Sequence, residues 1–447
     1  MDHSPAFRFR RFLNWFPLGL TYAAMYMGRY NFNIVKNDIG TWYHLDKLQM
    51  GIIASAGFWT YGLAVAFNGP LADRIGGRKA ILIGALGAAL VNLLVGFMFL
   101  NGPGTQVLLS MSLLWSLNMY FQSFGALSVV KVNSTWFHVR ERGVFGGIFG
   151  IMISSGYFLA TTIGALLLAS FHSWTVIWFV PAAAMAFMAA VDGFLVRNRP
   201  SHAGYADFDT GDGSNAASAE DAPLPLGDLA RKVFHNPIIV SLIFAEFCTG
   251  FVRQGVMLYF TEYLQEIYHL GKNEHLFWWT GIAFMGGGVF GGLLCGWMSD
   301  KLFQSRRPPV AFFFYLVQVV MLGFLGLALG QGTHAGQVWA VVLLGLTAMF
   351  IFGVHGMLSG TASMDFGGRK AAATVAGALD GVQYIGSGLT GFGLGWILKT
   401  HGWDGVTTVG HQPANAWVWV GAIIPFSLVG AFIMTRLWNA KPSAGAH

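Results

Sequence analysis

The hydrophobic pattern of this chain is neither the alternation of a half-buried strand nor the narrow stripe of a surface helix. Apolar runs of about 20 residues, the length that crosses the hydrocarbon layer of a bilayer, recur from one end to the other. They fall near residues 13–38, 49–70, 79–100, 107–131, 144–168 and 173–196. After a polar stretch they resume near 236–262, 277–299, 309–330, 335–360, 371–398 and 415–437. Only helices and closed barrels satisfy every backbone N–H and C=O in lipid, and runs this long predict helices. The pattern therefore predicts an all-α membrane protein with twelve transmembrane helices.

Residues 197–235 break the pattern. The segment RNRPSHAGYADFDTGDGSNAASAEDAPLPLGDLARKVFH is rich in Asp, Ser, Gly, Ala and Pro and has too little apolar surface to bury itself. It predicts a linker at 197–235 between an N-terminal six-helix half at 1–196 and a C-terminal six-helix half at 236–447. The two halves echo each other. Gly69-Pro70-Leu71-Ala72-Asp73 follows the second run and Gly296-Trp297-Met298-Ser299-Asp300 follows the eighth, while Arg29 and Arg253 lie in the first and seventh. Parallel repeats of this kind build alternating-access carriers, with the site near the midplane between the repeats.

Composition agrees with a bilayer. The chain is 55% hydrophobic and 10% charged, with a mean hydropathy of +0.56, against about 25% charged in a soluble domain. Its 60 glycines are spread through the apolar runs, where small residues let membrane helices approach closely. Cys248 and Cys295 sit inside apolar runs and suggest no disulfide framework. Arg8, Arg10 and Arg11 precede a run too long and too polar-capped for a cleavable signal peptide.

The net charge of +6 would suit nucleic acid, but its distribution points elsewhere. Of the 26 Lys and Arg residues, Lys36, Lys47, Lys272 and Lys399 fall on one side of the predicted membrane, Arg29 and Arg253 lie within it, and the remainder share the side of both termini and the linker. The positive-inside rule makes that side cytoplasmic. No nucleic-acid partner is expected. The 13 His form no metal-like cluster, and there is no nucleophile–base pairing or phosphate-cradling glycine loop. Neither an enzymatic site, a metal nor a cofactor is expected.

An Arg near the bilayer centre costs about 2.5–3.5 kcal/mol on insertion scales, and such residues usually face a substrate pathway. Tyr22, Tyr26, Arg29 and Asn33 share one helical stripe, as do Glu246, Thr249 and Arg253. A guanidinium forks onto phosphate or carboxylate. One Arg from each half predicts a central site for an oxyanion that could draw the halves together. Asp380 and Tyr384, four apart in the eleventh run, are further candidates, followed by Tyr61 and Gln122.

Gly69-Pro70-Leu71-Ala72-Asp73-Arg74-Ile75-Gly76-Gly77-Arg78-Lys79 closely resembles the loop 2–3 signature of the major facilitator superfamily, and Trp136-Phe137 with Glu141-Arg142-Gly143 is similar to that family's loop 4–5. The resemblance implies the major facilitator fold, with Gly69, Asp73, Arg74, Arg78 and Asp300 as gating residues. A narrower resemblance is to the organophosphate:phosphate antiporters. It rests on Met25-Tyr26-Met27-Gly28-Arg29-Tyr30-Asn31-Phe32, on Leu293 to Lys301, on Lys370 to Thr374 with Tyr384-Ile385-Gly386, and on Gly402-Trp403-Asp404-Gly405. It implies that Arg29 and Arg253 bind phosphate, that Tyr22, Tyr26, Tyr61 and Tyr384 line the cavity, and that an organophosphate exchanges with inorganic phosphate by a rocker-switch.

This chain departs from the glycerol-3-phosphate carriers of that group. Val65 stands where they carry a helix-two Lys, Ile153 where they carry a His, Tyr30 where a Lys follows the helix-one Arg, and Leu258 where an acid follows the helix-seven Arg. Conversely, Glu246 and Asp380 add acids and bring the formal charge of the four-residue constellation to zero. An acid could be protonated, could carry a coupled proton, or could meet a cation on the substrate. The sequence expectation is a secondary transporter of organophosphate or phosphonate-like anions in a bacterial inner membrane, acting as a monomer. Two alternatives stay open: a proton-coupled carrier of a carboxylate or zwitterionic phospho-compound, and a transporter-like membrane sensor of sugar phosphate.

Overall fold

The computed structural model describes residues 4–102, 104–138, 152, 154–171, 173–208, 233–304, 306–330, 333–403 and 417–440. These residues form twelve long helical segments, two short 3-10 turns at Gly104–Gln106 and Pro200–Ala203, and no strand. In chain order they are α1 (Pro5–Trp42), α2 (Lys47–Ile75), α3 (Gly77–Leu100), α4 (Val107–Gln122 and Phe124–Trp136, interrupted at Ser123), α5 (Ser154–Phe171) and α6 (Val176–Leu195). Then follow α7 (Pro237–Glu266), α8 (His275–Leu302), α9 (Arg307–Gly330), α10 (His334–His355, prolonged by a π turn at Gly356–Ala362), α11 (Ser363–His401) and α12 (Trp417–Arg436). Each predicted run coincides with one of these helices, except that the starts of the fifth, at 144, and of the twelfth, at 415, lie outside the described residues.

Among the described residues, nine helices are long and apolar enough to cross a membrane. The other three are α1, α4 and α11. α1 opens on Arg8, Arg10 and Arg11, α4 is broken at Ser123, and α11 begins with the polar stretch Ser363–Lys370. The helix starts follow from local chemistry. Ser4 accepts from the Phe7 N–H at 3.2 Å ahead of Pro5. Asp46 and Gln49 close a reciprocal capping box on α2. Asn236 accepts from Ile238 ahead of Pro237 on α7. Between α2 and α3 the chain turns at Gly76, whose φ of 85° suits glycine.

The distribution of polarity is that of a protein dissolved in lipid. Leu86, Leu90 and Leu94 of α3 and Leu109, Leu113 and Leu117 of α4 form exposed stripes at four-residue spacing. Polar groups are inside and bond across helices. Asn31 of α1 donates to Asn92 of α3 at 2.8 Å, Asn92 donates to Asn118 of α4 at 3.0 Å, and Asn118 donates to the Gly28 carbonyl at 3.1 Å. Cys248 and Cys295 are buried free thiols.

α2 and α11 approach so closely that a Cβ on Gly51 would stand 2.1 Å from the Gly391 carbonyl oxygen. That approach, with α7 packed on the neighbouring face of α11, brings the first and seventh helices to a common centre.

Candidate functional site

Arg29 of α1 is 1% exposed. Its Nη1 donates to the Tyr384 hydroxyl of α11 at 2.9 Å. Its Nη2 donates to the Gln122 carbonyl at 3.2 Å and to Gln122 Oε1 at 3.4 Å, where α4 is interrupted. The guanidinium carbon lies 4.3 Å from the Tyr26 ring centre, 4.6 Å from Tyr61 and 5.9 Å from Tyr22. These phenols and this amide are all neutral. Cation–π contact and phenol oxygens hold the cation in place while leaving its charge uncompensated.

Arg253 of α7 is 2% exposed. Its Nη2 donates to Gln383 Oε1 at 3.0 Å, and its guanidinium lies 5.3 Å from the Tyr384 ring centre. Tyr384 thus joins the two arginines, its oxygen on one and its ring on the other. The Nε atoms of both arginines, Gln122 Nε2 and Gln383 Nε2 are buried with no hydrogen-bond partner. A buried donor left unpaired costs about 1–3 kcal/mol. An oxyanion with several acceptor oxygens is the kind of ligand that would remove that cost.

The predicted acids lie on the same helices as Arg253 and Tyr384. Glu246, two turns before Arg253 on α7, is fully buried; its Oε2 meets His355 Nδ1 of α10 at 3.2 Å, and its Oε1 has no partner. Asp380, one turn before Tyr384, is half-buried. Thr249 and Asn33 lie on the predicted stripes, but their polar groups bond elsewhere. The Thr249 hydroxyl bonds the Ala245 carbonyl and the Tyr315 hydroxyl of α9, and Asn33 donates to the Met257 carbonyl of α7. Both are spent on helix packing.

Of the predicted gating residues, Asp73 and Asp300 have side chains that the structure does not describe, and Glu141, Arg142 and Gly143 lie outside the described residues. Gly69 has no neighbour within 4 Å of where a Cβ would stand, and Arg74 is exposed. Arg78 ties α3 to residues at and beyond the end of α6: its N–H donates to Asn198 Oδ1 at 2.8 Å and its guanidinium to the Gly193 carbonyl. Trp136 donates to the Arg197 carbonyl at 2.9 Å.

The face opposite the termini carries a set of ion pairs. Lys36, counted from sequence as a connecting-loop charge, lies in α1 at 1% exposure and pairs with Glu262 of α7, itself 4% exposed. Glu262 also meets Lys47 of α2 at 3.1 Å, and Lys47 meets Glu266 at 2.5 Å. Trp403 donates to Glu266 at 2.9 Å. Outside this knot, Lys272 pairs with Asp38, and Lys399 with Asp46 at 2.8 Å. The sequence offered one signal for the knot, the two acids Glu262 and Glu266 four apart at the end of α7. It offered none for His355 or Gln383. Among the described residues no group of three His, Cys, Asp or Glu side chains is arranged to hold a metal ion.

Comparison with known proteins identifies the family. The chain is 28% identical over 396 residues to the membrane sensor protein UhpC of Salmonella typhimurium, covering 87% of this chain and 86% of the relative. It is 26% identical to the glycerol-3-phosphate transporter of Bacillus subtilis, covering 86% and 85%, and 26% identical to the hexose-6-phosphate:phosphate antiporter of Escherichia coli, covering 93% and 87%. Its fold matches a bacterial homologue of the human lysosomal transporter Spinster in an inward-facing, unoccupied conformation, with a TM-score of 0.70 at 15% identity over 97% of this chain and 96% of that one. Residues 18–391 match the Major Facilitator Superfamily, and the chain is an integral membrane protein belonging to that superfamily.

Proposed function

We propose that this protein is a secondary transporter that exchanges an organophosphate for inorganic phosphate by alternating access. The observation that carries the proposal is the pair of buried arginines, one on α1 and one on α7, joined through Tyr384 and surrounded by unpaired donors. A phosphoryl group offers several acceptor oxygens and two negative charges, and it would engage both guanidinium groups at once. That gives the anion a higher affinity for the state in which α1 and α7 are close, the differential affinity any coupled conformational change needs. The relatives named for glycerol-3-phosphate and hexose-6-phosphate transport support the same substrate class.

The working units in this proposal are two six-helix halves, residues 1–196 and 236–447, joined by the linker 197–235. Arg29, Tyr22, Tyr26, Tyr61 and Gln122 come from the first half, and Arg253, Asp380 and Tyr384 from the second. Gly69, Asp73, Arg74, Arg78 and Asp300 serve the gate on the face of the termini. That face is cytoplasmic by the distribution of Lys and Arg, the membrane is the bacterial inner membrane, and the monomer is the transporting unit. The ion pairs of α1 and α2 with α7 close the opposite, periplasmic face.

The test is radiolabelled phosphate exchange in proteoliposomes loaded with phosphate. The wild type exchanges, and Arg29→Lys and Arg253→Lys each fall by roughly a hundredfold, the cost of replacing a bidentate fork by a point charge at a buried site. No exchange by folded wild-type protein overturns the proposal. Saturable binding of a sugar phosphate without flux would then favour a sensor, a reading that rests on the resemblance to a protein named as one.

A further inference from the structure

Charge around the two arginines is unevenly placed. On the α1 side, Arg29 is held by Tyr384, Gln122, Tyr26 and Tyr61, none of which carries a charge. On the other side, α7 and α11 each supply a carboxyl group, Glu246 and Asp380. Glu246 lies seven residues before Arg253, about 10 Å along the helix axis, and Asp380 lies four residues before Tyr384. Because α7 leaves the face of the termini and α11 enters from it, both displacements run toward that face. The constellation therefore has a positive end at Arg29 and a negative end at Glu246 and Asp380.

The negative end is not satisfied from within. His355 reaches Glu246 Oε2 at 3.2 Å and leaves Oε1, fully buried, without any partner. A buried carboxylate oxygen without a donor is costly. The group that would relieve it is a cation with N–H donors, and one that enters from the side on which the acids lie.

We propose that the organophosphate or organophosphonate taken by this site is a zwitterion, its phosphoryl group on Arg29 and Arg253 and its ammonium group between Glu246 and Asp380. This inference rests on the organophosphate reading above and deepens it. A substrate of this kind neutralises each end of the site with its own opposite charge. A singly functional phosphate ester would place its uncharged tail against two acids and gain nothing from them.

The experiment compares pairs of inhibitors of radiolabelled phosphate exchange that differ only in the charged group: 2-aminoethylphosphonate against propylphosphonate, and phosphoethanolamine against propyl phosphate. In the wild type the amine of each pair inhibits at a concentration at least about tenfold lower than its uncharged twin, a preference of about 1.4 kcal/mol. In Glu246→Gln and in Asp380→Asn the preference within each pair shrinks toward unity, whatever happens to the absolute exchange rate. Equal potency of amine and uncharged twin in the wild type overturns the inference. So does a preference that survives in both variants. Absence of phosphate exchange altogether would instead fail the reading on which it rests, so the two failures are distinct.

Discussion

The Arg29 guanidinium donates to the Tyr384 hydroxyl at 2.9 Å, and the Tyr384 ring lies 5.3 Å from Arg253. One phenol on α11 therefore contacts the cations of both α1 and α7. Tyr384→Phe keeps the ring and deletes the oxygen. A hydrogen bond to a charged group is worth about 1.5–3 kcal/mol, so the phosphate concentration that half-saturates exchange should rise roughly ten- to a hundredfold. Saturation curves of phosphate exchange measure this, and an unchanged midpoint would remove Tyr384 from the anion clamp.

Glu262 and Lys36 are both nearly inaccessible, and each neutralises the other. Glu262→Gln leaves an ammonium buried with a weaker partner, a change that typically costs about 3–5 kcal/mol. Thermal unfolding in detergent should show a clear fall in Tm. The double variant Lys36→Met with Glu262→Met should recover most of it, because an apolar pair needs no compensating charge. A single variant as stable as the wild type would contradict the burial.

Asp46 and Lys399 make the opposite case at the surface. Burial raises the Asp46 carboxyl, but the Lys399 ammonium and the Gln49 backbone N–H outweigh it and hold the group below the usual carboxylate range. A folded value below the unfolded one means that its stabilisation is present above the unfolded range and disappears as pH falls through the folded value. The pair is exposed, so Asp46→Asn should cost less than about 1 kcal/mol at pH 7. The difference in Tm between variant and wild type should stay constant from pH 7 to pH 5 and close below about pH 4.

Gly51 faces the Gly391 carbonyl with no room for a methyl group, whereas Gly421 of α12 has no neighbour within 4 Å of where a Cβ would stand. Overpacking of this kind costs about 1–3 kcal/mol. Gly51→Ala should lower Tm and slow phosphate exchange, and Gly421→Ala should change neither by much. Equal behaviour of the two would show that α2 and α11 can separate without loss.

The helices were legible because lipid imposes a simple rule on sequence: a long apolar run and a satisfied backbone. Arg29 and Arg253 were legible for the complementary reason, that a charge in such a run is expensive. Tyr384 was found through its spacing from Asp380 and its place in a family pattern. His355 and Gln383 were not, because what each does depends on which helix lies opposite, and periodicity within one helix carries no such information. Lys36 was read as a loop charge because hydropathy cannot tell a helix that ends at the membrane surface from one that continues to Trp42 and seals against α7. Thr249 and Asn33 shared the right faces, but their short polar groups reached backbone and neighbouring hydroxyls first.

The pairs on the face opposite the termini have opposed polarity. Along α1 a cation, Lys36, is followed by an anion, Asp38, and they are met by an anion, Glu262 of α7, and then a cation, Lys272, beyond its end. Lys47 of α2 meets Glu266 of α7, while Asp46 beside it meets Lys399 of α11. Sliding α1 and α2 along α7 and α11 would bring like charges together, and like charges at contact repel. The seam therefore works as a key cut in charge: in the exchange proposed above, α1 and α2 can part from α7 and α11 and close again in one alignment, which returns the two arginines to the same spacing each time.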